Sequence, residues 1–424
     1  MICKGIYRYL MQQNILYIAY HFPPIAESSG VLRTLSYIRA LQLSGYSITV
    51  LTVSENALKK VRDENLQMVP LGVNVIRCKA WDWAQLVFLK GKYPGFLAIP
   101  DRYSSWLISG YIQGIKAMKE LSPVAIVSTS PMPTAHMLGH LLSVKMDTPW
   151  ITDFRDPLAQ NDYPNNKLQR KVHWWLEGKT VKKSVLRVFA TESARREHLT
   201  HFSNSDPQQS CVLENGFDEH FFSERERIPS QTGPLRFYHS GSISLEERDP
   251  TAFIEALGAC KSNSIWPDRG VEVIFRCSES LDWMKDLVEK LSLQDCVHIL
   301  PVVEYKRAIK EFELAHGLLL FQGSNCDQQI PAKAYEYVRA KRPVLTLCGK
   351  QGATADLMHS LNVGPVVEID DKRQIICALE WAFESAKDWQ TPLSRDMIAA
   401  FSRENKAKCF ADKVTGLLGT MNGN

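Results

Sequence analysis

The chain has 424 residues, too many for one hydrophobic core, so two domains of roughly 200 residues each are expected. It is 45% hydrophobic and 23% charged, as an ordinary globular protein is, and its formal net charge of +4 is too small to argue for a nucleic-acid partner. Ten cysteines are scattered without a Cys-x-x-Cys pair, which fits unpaired thiols in a reducing cytoplasm better than disulfides or a zinc site.

No uninterrupted apolar run approaches the ~18 residues of a membrane span. The opening stretch MICKGIYRYLMQQNILYIAY has its apolar part broken by Gln12, Gln13 and Asn14. It reads as a ragged extension before a strand rather than a signal peptide, with Met11 an alternative start. A short β-forming run at 14–20 enters the Pro- and Ser-rich loop HFPPIAESSG, and helical spacing follows in Leu32, Leu35, Ile38 and Leu41, stopped at Gly45. Strands are expected at 46–53, 73–78 and 124–130, with a helix near 107–120 and an irregular aromatic stretch over 81–106. A proline-led helix to 146, the strand of PWITDFRDP, a long helix near 166–184 and the strand of LRVFATES complete the half, which closes on the Asn-Gly turn of SCVLENGFDEHFF. After SQTGP the cycle restarts. LRFYHSGSI, VEVIFRC, CVHILPVV, HGLLLFQG and PVLTLC read as strands, with helices between them; no element is assigned over 349–402, and 403–418 reads as a helix. Strands alternating with helices in two successive halves imply parallel α/β domains, divided near 228–234.

In such sheets ligands bind beyond the carboxyl ends of the strands. Pro331 suits the start of a helix whose open amides attract phosphate, and Lys333 adds positive charge there. Glu336 is placed to accept hydrogen bonds from vicinal hydroxyls such as a ribose diol, or else it is a surface glutamate paired with Arg339 or Lys333. Gly241 follows a strand directly, where a bare backbone lets a phosphate approach and Arg248 neutralises it; an ordinary strand-to-helix turn is the alternative. Neither a Gly-x-Gly-x-x-Gly nor a P-loop motif occurs, nor a Gly-x-Ser-x-Gly elbow. TDFRDP gathers Asp153, Arg155 and Asp156 behind a strand, either for chemistry or as an Asp–Arg pair holding the loop. His136 and His140 have ligand spacing, but the glutamate of His-Glu-x-x-His and a third ligand are missing, so no metal site is assigned. The helix NNKLQRKVHWWLEGKTVKKS interleaves six basic residues with Trp174 and Trp175, fitting an anionic membrane surface or a solvated basic face with the tryptophans inward.

Together these segments resemble family 4 of the glycosyltransferases, in a bacterial subgroup concerned with surface polysaccharides, over nearly the whole chain. YHFPPIAESSGVLRTLSYIRALQLSGYSITVLT is similar to the family's first strand, loop and helix; IPDRYSSW, STSPMPTA and ITDFRDP to the subgroup; VLENGFD to the turn before the second domain; and YHSGSI, RDPTAFIEAL and IPAKAYEYVRAKRPVL to the donor-binding half. The resemblance implies the GT-B architecture: two Rossmann-like domains facing across a cleft, with an acceptor-binding domain at 1–228, a donor-binding domain at 229–400, and a helix at 401–424 returning to the first domain. Glu336 matches the second glutamate of the family's Glu, seven residues, Glu motif, the usual ribose ligand, while the first falls on Gln328. Gly241, Ser242 and Arg248 match the pyrophosphate loop, although Ser242 stands where an arginine is frequent.

What the resemblance implies chemically is a hexosyl- or related transferase using a UDP- or GDP-sugar, with no obligatory metal or other cofactor. The donor would be bound by Gly241, Ser242, Arg248, Val303, Gln328, Gln329, Ile330, Lys333 and Glu336, with RCSES and LPVV flanking the base. Arg155, Asp156, Arg248 and Lys333 would serve catalysis, and Ser29, Gly30 and Asp153 the acceptor or cleft. The acceptor is expected to be a saccharide, lipid-linked, in lipopolysaccharide, capsule or exopolysaccharide synthesis, with anomeric configuration retained, in the cytoplasm or peripherally at the inner face of the plasma membrane. A nucleotide-sugar 2-epimerase or an inactive scaffold of the same fold are the alternatives.

Overall fold

The computed structural model describes residues 13–25, 29–58, 60–83, 95–161, 163–224, 227–277 and 281–422. They form two units, 1–214 with 404–424, and 215–403.

In the first unit the elements run β1 (Asn14–Ile18), α1 (Ser29–Leu43), β2 (Ser47–Val53), β3 (Asn74–Cys78), α2 (Trp106–Leu121), β4 (Ala125–Thr129), α3 (Pro133–Met146), β5 (Trp150–Phe154), α4 (Lys167–Lys183), β6 (Ser184–Phe189), α5 (Glu192–His201) and β7 (Ser210–Val212). The strands make one parallel sheet in the order β3-β2-β1-β4-β5-β6-β7. Both faces are covered, which is why β4 and β5 are buried at every position. Ile15 and Tyr17 point to one face and pack with α1, whereas Leu16 and Ile18 point to the other and pack with α2 and α3.

The second unit continues with β8 (Leu235–Ser240), α6 (Thr251–Lys261), β9 (Val271–Cys277), α7 (Asp282–Lys290), β10 (Val297–Pro301), α8 (Tyr305–Leu314), β11 (Gly317–Gln322), α9 (Ala332–Ala340), β12 (Val344–Cys348), α10 (Ala353–Leu361), β13 (Val366–Glu368), α11 (Lys372–Ser385) and α12 (Arg395–Ala399). Its sheet is also parallel, in the order β10-β9-β8-β11-β12-β13. Phe237, Leu319 and Phe321 pack with α6, α7 and α11 on one face, while Tyr238, Leu318 and Leu320 pack with α8, α9 and α10 on the other. The last helix, α13 (Arg403–Asn422), carries the chain back into the first unit from Glu404. There Phe410 stacks on Tyr37 at 4.2 Å and Lys406 pairs with Glu214 at 2.6 Å.

Two differences from the sequence reading have physical causes. The change of unit falls at Glu214/Asn215, not near 228, because Phe217 and Phe222 are buried in the second unit's core. The stretch 349–402, left unassigned, contains α10, β13, α11 and α12; β13 is a three-residue, half-buried edge strand with no run to detect.

Gly216 lies where a Cβ would press on the Phe401 carbonyl and the Arg403 amide, beside the hydrogen bonds Phe217 N to Phe401 O (3.2 Å) and Arg403 N to Phe217 O (2.8 Å). A backbone neighbour cannot move aside as a side chain can. Gly216→Ala is therefore expected to destabilise the second unit by about 1–3 kcal/mol, read as a lower urea midpoint; an unchanged midpoint would contradict this packing.

Candidate functional site

The loops after β8 and β11 are bound to one another. Gly323 N donates to Glu247 O, and Asn325 Nδ2 donates to Glu246 O at 2.9 Å. Gly241 takes φ +133°, a conformation L side chains rarely adopt, and a Cβ there would also meet Lys333 Nζ. The Lys333 ammonium thus lies against a bare stretch of backbone. Burial, with the Arg248 cation adding to it, pulls its pKa down to about 7.

Beneath Lys333 is His239, fully buried on β8. Its Nδ1–H donates to Leu319 O at 2.9 Å, which leaves Nε2 as a lone pair 3.5 Å from Lys333 Nζ. Burial and the Lys333 charge hold this imidazole neutral, well below its usual pKa. Arg248 bonds Glu247 at 2.8 Å and the Ser242 hydroxyl at 3.2 Å. No side chain caps α9, so its first amides face the same region. Two cations, open amides and a glycine make a seat for an anion. The neighbouring pocket of about 420 Å³ is lined by Glu246, Glu247, Asp249, Ser324 and Asn325, an acidic wall that would oppose a phosphate, whereas the cations of the Gly241–Lys333 face would attract one.

Glu336 is buried on α9, which corrects the surface reading. It does not pair with Arg339, which bonds Glu219 instead. Glu336 Oε1 accepts from Tyr305 OH at 2.7 Å and lies 3.9 Å from Arg403, while Oε2 takes no hydrogen bond among the described residues. The glutamate is therefore held in one rotamer with an oxygen to spare. The Ile330 side chain, expected at the donor, belongs to the core instead, and Val303 packs against that core. Gln328 is exposed, and the backbone of Gln329 is bonded, its main-chain N–H donating to Cys326 O at 2.9 Å and its main-chain carbonyl accepting from Thr354 Oγ1 at 2.9 Å. Ser278, Glu279 and Ser280 of the RCSES loop lie outside the described residues.

In the first unit Asp153 is fully buried. Arg33 grips it from 2.8 Å, and Thr129 Oγ1 donates to it at 2.8 Å. Arg33 also donates to Leu213 O and Glu214 O. Asp153 therefore ties α1 to β5 and the end of β7, which corrects its expected place at an acceptor. The anticipated Asp–Arg pair exists, but its arginine is Arg33.

Arg155 and Asp156 are half-buried at the carboxyl end of β5. Burial raises the Asp156 pKa, opposed by Arg155 and Arg33. His21, after β1, is pulled down to about 4 by burial and by the Arg155 cation, so a neutral imidazole joins this group. The loop is supported from below: Glu177 of α4 accepts from the amides of Leu158 (2.9 Å) and Ala159 (2.7 Å), and its other oxygen bonds His198 at 2.6 Å. Gly30 is buried in the first turn of α1, and Ser29 begins that helix. His136 is buried and bonded through both nitrogens, to Ser128 at 2.8 Å and Ser130 at 3.1 Å, so it has no lone pair for a metal.

The sequence reading missed His21, His239, Tyr305 and Arg403. A histidine inside a buried strand, in FYHSG, was the available signal for one of them.

Residues 30–216 match the family model described as glycosyl transferase 4-like domain. Sucrose-phosphate synthase from Thermosynechococcus elongatus is similar in structure (TM-score 0.66, 13% identity, covering 96% of this chain and 100% of that one). So are Anabaena HepE in complex with UDP-glucose (0.61, 14%, 95% and 99%) and WaaG, a glycosyltransferase involved in lipopolysaccharide biosynthesis (0.56, 14%, 94% and 95%). The fold is shared too by the UDP-GlcNAc 2-epimerase of Neisseria meningitidis (0.55, 10%, 95% and 100%). No curated protein matches the chain in sequence.

Proposed function

We propose, from the glycosyl transferase 4-like match at 30–216 and the two parallel-sheet units of GT-B fold, that this chain is a glycosyltransferase that moves a sugar from a UDP-sugar to a saccharide acceptor. The observation that carries this reading is the Lys333 ammonium set against the bare backbone of Gly241, with Arg248 beside it. The donor pyrophosphate lies on that face, and the ribose hydroxyls donate to the spare oxygen of Glu336. The first unit takes the acceptor, with His21, Arg155 and Asp156 at its strand ends. A lipid-linked saccharide of a surface polysaccharide is the acceptor we favour, because IPDRYSSW, STSPMPTA and ITDFRDP resemble that subgroup. We favour a cytoplasmic setting because the scattered thiols suit it.

The transfer proceeds with retention. The bond from the anomeric carbon to phosphate breaks as the acceptor oxygen bonds to the same face of that carbon. The acceptor proton passes to the departing phosphate oxygen. Negative charge grows on the pyrophosphate in this step, and Lys333 and Arg248 are fixed where it grows.

Thermal shifts with UDP, GDP, CMP, dTDP and their sugars test the reading. A shift selective for UDP compounds is expected, and Glu336→Ala is expected to weaken it by about tenfold or more in affinity, since a charged acceptor is lost. Tyr305→Phe frees Oε1 but keeps the charge, so its effect should be smaller. Unchanged affinity in a folded Glu336→Ala protein would remove the ribose from this site. A 2-epimer formed without acceptor would assign epimerase chemistry, and binding without turnover on any acceptor would leave a scaffold.

A further inference from the structure

We propose that the amino-terminal edge of the second unit's sheet carries an anion site of its own, separate from the Gly241–Lys333 face, that takes a small phosphate ester. This goes beyond the transferase reading and does not depend on it.

A parallel sheet gathers the starts of its strands on one edge. Gln231 leads into β8, Arg269 into β9, His316 into β11, and Arg342 with Pro343 into β12. With the segment 386–390 that follows α11, they line a cavity of about 270 Å³. Gly241, with Lys333 against it, lies beyond the other end of β8. The strand between spans roughly 20 Å, too far for one small ester to reach both. Sites for drug-sized ligands begin near about 300 Å³, so this cavity suits a metabolite rather than a nucleotide sugar.

The lining is rich in cations. Arg227, Arg269, Arg342 and Lys387 stand against the one carboxylate of Asp388. Two of these cations have acidic partners: Arg227 pairs with Glu313 at 3.2 Å and Lys387 with Glu384 at 2.9 Å. Arg269 pairs with no carboxylate among the described residues. Its Nε donates to Gly233 O at 2.7 Å and its Nη2 to Ser230 O at 3.0 Å, while Nη1 is unspent. Backbone carbonyls hold that guanidinium in place without cancelling its charge. Arg342 is buried and donates to Glu313 O at 3.2 Å and to Arg227 O.

The positive field registers on His316. Its Nδ1 accepts from Arg236 N at 3.0 Å, so the ring proton is on Nε2, which donates to Ser230 O at 2.9 Å. Burial, with the cations of Arg269, Arg236 and Arg342 adding to it, holds this imidazole below its usual pKa against the Ser230 bond. His316 therefore braces the loop before β8 as a neutral ring. Trp389 bounds the cavity on the α11 side, its ring edge-on to Trp381 at 5.7 Å. Its buried Nε1–H has no acceptor among the described residues. A buried donor without an acceptor is costly, and an oxygen brought to the indole edge relieves that cost. Ile228, Pro229, Pro343 and the indole give an apolar wall for the body of the ester. A phosphate ester fits this set, because its free oxygens only accept and carry up to about two negative charges, which guanidinium forks take in pairs. A carboxylate, with two oxygens and one charge, would use fewer of the donors.

The test is isothermal titration calorimetry of the full chain at fixed ionic strength, with glycerol 3-phosphate as the probe and succinate as the carboxylate control. Wild type and Lys333→Met, which lacks the donor-face cation, are expected to bind the probe equally, and saturating UDP should not displace it. Trp389→Phe keeps an aromatic ring and removes the N–H, so it is expected to weaken the probe about tenfold, the loss of one hydrogen bond to a charged oxygen. Arg269→Gln removes the charge and should weaken it about tenfold or more. Should Arg269→Gln loosen the loop before β8, its melting temperature will fall, and Trp389→Phe still decides. No binding by wild type would overturn the proposal. So would binding that is lost in Lys333→Met or displaced by UDP, which belongs to the donor face, or binding that neither Trp389→Phe nor Arg269→Gln weakens. Succinate bound more tightly than the phosphate would overturn the ligand class. Absence of a UDP response with the probe still bound would instead count against the donor site only.

Discussion

Lys333→Met is expected to lower kcat for sugar transfer by about a hundred- to a thousandfold, the range seen when one fixed donor to a developing oxyanion is removed. Its side chain is apolar and of similar length, so the packing on Gly241 and His239 survives while the charge is lost. The pH dependence makes the test sharper. Free Lys333 titrates near 7, so it is cationic below that pH and neutral above. If the donor pyrophosphate binds the cationic form, as proposed, kcat/KM should fall above pH 7 by up to about tenfold per unit. Once the donor is bound its charge holds the proton on Lys333, so kcat itself should stay flatter.

The unliganded protein should respond in the opposite direction. An unfolded lysine keeps its proton until about 10.5, whereas the folded Lys333 releases it near 7. Between those values the unfolded state binds more protons, so this group favours folding as pH rises. Lys333→Arg keeps a cation at every pH and should remove the alkaline fall. A Lys333→Met enzyme within threefold of wild type would take the pyrophosphate away from this face. His239→Phe tests the support: it removes the lone pair that faces Nζ at 3.5 Å.

The second large effect is on stability. Asp153→Ala should cost the first unit about 3–5 kcal/mol, because it leaves the Arg33 guanidinium buried without its counter-charge. Arg33→Ala should cost a similar amount, stranding the carboxylate with the Thr129 hydroxyl as its remaining side-chain donor among the described residues. Replacing both together, Asp153→Leu with Arg33→Met, should cost much less than the sum of the two, since neither charge is then stranded. Urea unfolding followed by circular dichroism gives the comparison. Additive losses would mean that the pair is not coupled. Donor binding at the second unit should be untouched in every variant that folds.

The periodicity of the chain carried most of the fold. Apolar runs such as VAIV and GLLLF become strands buried on both faces, and the parallel order follows from the helices between them. Glycine before a serine loop and proline before a lysine likewise marked two segments that the structure brings together, Gly241 against Lys333, because backbone geometry is written locally. By contrast, the stretch after β12 stayed dark. Its strand is three residues long at a sheet edge, and its helices were not separable from loop without their partners.

What the sequence determined by itself is therefore the class of fold and two points of local backbone geometry, the glycine at 241 with its positive φ and the proline that opens α9. Only the tertiary structure decided which side chains meet. It turned Asp153 inward to Arg33, 120 residues away in sequence, and moved Ile330 from the site into the core. It also placed His239 under Lys333, 94 residues on, and bonded Glu336 to Tyr305. The reason is physical. Helix and strand periods are local properties of a few residues, whereas the charge state of a buried lysine or the free oxygen of a glutamate depends on neighbours that long-range packing brings together.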